Sequence, residues 1–175
     1  MDNGTFWRDD NHVPVVVDGL TVINNKIFTG SGTTVNVPMF KVTGQVHVKK
    51  LYGVVTTALL NHTAVSFRLN DQTAQTYITA VGGTSATNAP VGTIVEKNAL
   101  AATAVDVDSS STGLFEEIAT ANLDYYQQFR VGQKTGGIET DIEYCYTTSD
   151  TPTSGAIQFF CVYVPLSIDG NLTAL

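Results

Sequence analysis

The chain has 175 residues, 43% of them apolar and only 14% charged, and its 16 acidic against 9 basic side chains leave a net charge of −7. The length fits one domain of ordinary size, and so few charges exclude a solvated, disordered chain. The acidic balance argues against a nucleic-acid partner, which needs Lys and Arg to displace counterions from phosphates, and no window approaches the roughly 18 apolar residues of a membrane helix, so a soluble protein is expected.

The opening MDNGTFWRDDNH carries no basic stretch followed by an apolar one, so no secretory signal is expected. Thr, Val and Gly are abundant while Lys, Glu, Arg and Leu are scarce. Helix surfaces are built from the scarce set, and pleated strands favour the β-branched and aromatic residues. An all-β domain with Thr-rich faces is expected.

Residues 13–30, VPVVVDGLTVINNKIFTG, read as extended chain that Gly19 and the Asn24–Asn25 pair cut into short pieces, with GSGTT at 30–34 as a flexible joint. Strand signals are dense from residue 35. Val35, Val37 and Met39 fall on one face of the next strand, and Phe40 and Val42 on the other. Val46 and Val48 point inward and Gln45, His47 and Lys49 outward, until the Lys49–Lys50 doublet breaks the alternation and predicts a bulge or bend. Val65, Phe67 and Leu69 alternate with outward Ala64, Ser66, Arg68 and Asn70.

GGTSATNAP at 82–90 is a loop, and GTIVEKN and AVDVD are short strands. SSSTGLFEEIATAN, residues 109–122, is the one expected short helix. Tyr125, Phe129 and Val131 share one side of the following strand. Ile142, Tyr144 and Tyr146 then oppose Asp141, Glu143 and Cys145. After a turn at 149–155, AIQFFCVYVPL is apolar on both faces, as a central strand is. Pro165 ends it, and SIDGNLTAL reads as a tail. About eight to ten short antiparallel strands, spaced by turn signals, predict a β-sandwich or jelly roll.

Little in the sequence points to chemistry. His12, His47 and His62 lack the HxxxH or CxxC spacing of a metal site and are expected on the surface, so no metal is predicted. Asp106 and Asp108 form a D-x-D, and Asp9–Asp10 a second acidic pair, but a Ca²⁺ site needs several more oxygens. No G-x-S-x-G elbow is present, and GSGTT lacks the Lys of a phosphate loop. Cys145 and Cys161 flank the 149–155 turn. If their strands form a hairpin, the two lie opposite or one diagonal step apart. Diagonal neighbours are about 7–8 Å apart, too far for an unstrained disulfide, so two free, half-buried thiols are expected.

Four stretches are characteristic as a set: Phe40-x-Val42-Thr43-Gly44, the run Leu51-Tyr52-Gly53-Val54-Val55-Thr56-Thr57, Pro90-Val91-Gly92-Thr93-Ile94, and Tyr163-Val164-Pro165-Leu166-Ser167. Through them, roughly residues 38–175 resemble small virion structural proteins of tailed bacteriophages. These include capsid decoration, or cement, proteins with jelly-roll folds, commonly trimeric. The resemblance implies a non-enzymatic protein on the capsid exterior, assembled in a bacterial host cytoplasm. Its partners would be the major capsid protein and copies of itself, a trimer foremost, with no cofactor and no catalytic residue.

On that expectation residues 1–31 are an extended N-terminal arm and 32–175 the jelly-roll domain. Phe6 and Trp7 would anchor the arm, and Val15, Val16, Val17, Ile23, Ile27 and Phe28 would supply strand-forming contacts to a partner. The alternative is that residues 13–30 complete the domain's own sheet. A tail or fibre module that stacks Trp7, Tyr125 and Tyr126 on host sugars is the second functional reading, and an enzyme the third.

Overall fold

The computed structural model describes residues 6–8, 14–16, 19–30, 34–81, 84–98, 103–108, 127–148 and 153–175. Thirteen strands, numbered in chain order, lie within them, and no helix does. β3 (Leu20–Gly30), β12 (Thr153–Pro165), β5 (Gln45–Leu60), β8 (Ile94–Glu96) and β9 (Asp106–Asp108) make the larger sheet in that order, with β10 (Phe129–Gly132) pairing the start of β5. The smaller sheet runs β13 (Asn171–Ala174), β4 (Thr34–Thr43), β11 (Thr140–Thr147), β6 (Thr63–Asn70), β7 (Gln75–Tyr77). β1 (Phe6–Arg8) and β2 (Pro14–Val16) pair with each other and, among the described residues, with no other strand. The two sheets pack as an antiparallel β-sandwich. Its central strands, β3-β12-β5-β8 against β4-β11-β6-β7, have the wiring of a jelly roll, in which the chain changes sheet at nearly every connection.

Period-two patterning explains the core, and bulges explain where it shifts phase. Along β12, Ile157, Phe159, Cys161 and Tyr163 point into the sandwich and are buried. In β5 the inward set is Val46, Val48, then Leu51, Gly53 and Val55. The phase changes because Val162 faces Lys50 while Tyr163 faces Val48, leaving Lys49 unpaired, so the Lys49–Lys50 doublet does mark a bulge.

A second bulge lies in β4, where Ile142 faces Phe40 but Glu143 faces Pro38. The unpaired residue is Met39. Val35, Val37, Phe40 and Val42 therefore share the inward face, rather than dividing between two faces as simple alternation predicts. Pro38, which has no N–H to donate, sits beside this irregularity. At Gly53 a Cβ would lie 2.5 Å from Ile157 Cγ2 and 2.8 Å from Phe159 Cδ1, so the glycine makes room for the core of the neighbouring strand.

The structure corrects several expectations. Leu20–Gly30 pairs with Tyr163–Thr153 over eleven residues without a register shift, so this part of the expected arm 1–31 belongs to the sheet. The Asn24–Asn25 pair does not break the strand. Asn24 points inward, and its Nδ2 donates to the carbonyl oxygens of Met39, at 2.6 Å, and Leu175, at 2.8 Å. The SIDGNLTAL tail contains β13, which pairs with β4 and buries Leu172. β11 and β12 form no hairpin; they lie in opposite sheets, because the turn signal between them fixes a change of direction and not a partner. The expected helix at 109–122 lies outside the described residues.

Candidate interaction surface

The residues expected to contact a partner divide by strand parity. Phe28 is 3% exposed and packs inside the sandwich, with its ring centroid 4.7 Å from that of His62 and 5.5 Å from that of Tyr146. It is a core residue and not a docking contact. Ile23 and Ile27 occupy the other face of β3 and are 47% and 80% exposed. Phe6, Trp7, Val15 and Val16 lie in the β1–β2 pair, described by its backbone alone, and Val17, Tyr125 and Tyr126 lie outside the described residues.

Ile23 belongs to a row of side chains across the outward face of the larger sheet. Its cross-strand partner is Phe160, whose next partner is Tyr52. The Phe160 and Tyr52 rings stack at 4.9 Å with an interplanar angle of 7°. Partial burial raises the Tyr52 hydroxyl pKa above its ordinary value. Val162 flanks this row against Thr21, and Gln158 with Val54 flanks it against Asn25. Sequence patterning shows that β12 is apolar on both faces, but not that its outward residues line up with Tyr52 and Ile23, because that requires the register.

The outward face of the smaller sheet is polar and tightly paired. Arg68 Nε donates to Glu143 Oε2 at 2.5 Å and Nη1 to Gln75 Oε1 at 2.6 Å, while Asn70 Nδ2 donates to Glu143 Oε1 at 2.9 Å. Arg68, Glu143, Asp141, Cys145 and Ser66 are all buried, although alternation places them on the outer face. Period two assigns a side chain to a face; it does not say whether neighbouring side chains close over it. Burial, reinforced by the charges of Glu139 and Glu143, raises the Asp141 pKa. The depression beside it, lined by Leu69, Asp71, Thr76, Lys134 and Thr140, has its charges engaged: Lys134 Nζ lies 3.1 Å from Asp71 Oδ2. Backbone N–H groups of Ala74 and Thr73, with the Thr73 hydroxyl, hold the Asp71 carboxyl well below the usual range.

His62 is fully buried and not a surface imidazole. Its ring stacks on Tyr146 at 4.1 Å, and the Tyr144 hydroxyl lies 3.4 Å from Nδ1. Burial pulls its pKa down to about 4, so the ring is neutral near pH 7. Cys145 and Cys161 are free and buried, and burial pushes the Cys145 thiol up to about 12 and Cys161 higher still. Such thiols are poor nucleophiles, since the thiolate is the reactive form. Among the described residues no three His, Cys, Asp or Glu side chains converge as metal ligands.

No family model, no curated protein and no solved structure matches the chain. The outward face of the larger sheet, with a β3 edge that no strand pairs among the described residues, is therefore the candidate site on its own geometry.

Proposed function

We propose that the protein is a non-enzymatic virion structural protein of the decoration, or cement, type, which docks on a shell of major capsid protein and self-associates. The observation that carries this is the apolar row Ile23–Phe160–Tyr52 beside a sheet edge unpaired among the described residues, on a two-sheet core. An exposed Ile23 in register with the half-buried Phe160 and Tyr52 on the outer face of a sheet suits a surface-to-surface contact better than a small-molecule site, which is concave. The resemblance of residues 38–175 to tailed-phage virion proteins supports the same reading. Many copies on a symmetric shell need only weak individual contacts, since linked contacts multiply into avidity.

The test is cosedimentation of purified protein with assembled shells, followed by thermal denaturation of the particles. Binding at a fixed stoichiometry and a higher shell melting temperature are expected. Protein that stays in the supernatant at saturating concentration overturns the reading, and selective binding to a glycan array favours a host-binding tail or fibre module.

A further inference from the structure

We propose that two copies of this chain pair antiparallel along β3, about a two-fold axis through Asn25, and so join their larger sheets into one. β3 is a terminal strand of the larger sheet: β12 occupies one of its edges, and among the described residues no strand pairs with the other. It runs eleven residues in unbroken register, or roughly 37 Å at about 3.4 Å per residue. Long edges of this kind are usually guarded by proline, a bulge or an exposed charge. β3 has neither proline nor bulge. Its one charged side chain, Lys26, turns to the inner side, where Nζ donates to the Leu175 main-chain oxygen at 2.7 Å.

The outward residues of β3 are Thr21, Ile23, Asn25, Ile27 and Thr29, all exposed, and they read the same in both directions. In an antiparallel pair centred on Asn25, each Ile23 faces Ile27 of the other copy and each Thr21 faces Thr29. Cross-strand pairs of β-branched side chains stabilise a sheet, and directly opposed residues share a face. Moving the axis one residue either way sets every Ile against Asn or Thr. Moving it to Lys26 also opposes the two lysines. The palindrome thus selects one register, and a two-fold interface needs such self-complementarity. The pairing deepens the self-association within the proposed function and gives an even-numbered assembly where the resemblance implies a trimer.

Its test involves no shell, so its failure is distinguishable from failure to dock on one. Sedimentation equilibrium of the full chain is expected to give twice the 18.7 kDa mass of a single copy. Ile23→Lys combined with Ile27→Lys opposes like charges twice and is expected to run as one copy. Ile23→Lys combined with Ile27→Glu opposes Lys to Glu twice and is expected to restore two. Ile168→Lys, at a still more exposed position off the edge, is expected to leave the mass unchanged. Circular dichroism checks that each variant is folded, and these exposed positions are not core sites. A wild-type chain that sediments as one copy or three, a Lys/Lys variant that still pairs, or a Lys/Glu variant that does not, overturns the proposal.

Discussion

A neutral imidazole among three aromatic rings makes stability depend on pH. His62 has a folded pKa of about 4 against 6.5 for the free side chain, because burial disfavours the charged form. The unfolded chain then binds the extra proton first as pH falls. Stability from this group is complete above pH 6.5 and is lost as pH falls towards 4, by up to about 3 kcal/mol. Thermal melts of wild type between those limits should show a falling midpoint, and His62→Phe should flatten the slope. The Arg68–Glu143 pair gives a second prediction. Both side chains are buried, so Glu143→Gln leaves an uncompensated guanidinium and should lower stability by about 3–5 kcal/mol in denaturant titration. Neither environment was legible from the sequence. His62 follows the turn residue Asn61 and reads as exposed, yet Phe28, Tyr144 and Tyr146 from two other strands close around it.

Single strands were far more legible than their pairings. β12 is apolar on both faces because it lies between β3 and β5, and its Pro165 end and the Lys49 bulge both follow from local chemistry. The Met39 bulge carries no comparable doublet, so alternation divided Val35 and Val37 from Phe40 and Val42 when all four share a face. Gly53 passes in the sequence for an ordinary loosening of a strand. Its role appears only beside Phe159, and Gly53→Val should force that ring aside at about 1–3 kcal/mol, measured as a lower denaturation midpoint with the fold retained. On β3, the sequence grouped Ile23, Ile27 and Phe28 together, whereas the first two are exposed and Phe28 is core. Strand parity makes that division, and the turn-like Asn24–Asn25 pair concealed a continuous strand.

For the molecule as a whole, the boundary between the N-terminal segment and the core is the consequence to test. Every core side chain among the described residues lies from Leu20 onward. Removing residues 1–18 should leave a cooperatively melting sandwich, whereas removal through residue 30 strips β3 from β12 and Phe28 from the aromatic cluster, and should abolish the cooperative transition in calorimetry. The two-sheet class was legible from composition and turn spacing. The partner of each strand was not, since a jelly roll sends consecutive strands to opposite sheets and the 149–155 turn looks locally like any hairpin. The two buried thiols give this fold a built-in clock. In the native protein Cys161 is completely buried and Cys145 nearly so, so a maleimide dye reacts chiefly with molecules that have transiently come apart. The labelling rate of unmodified protein therefore counts such excursions directly, without any engineered mark.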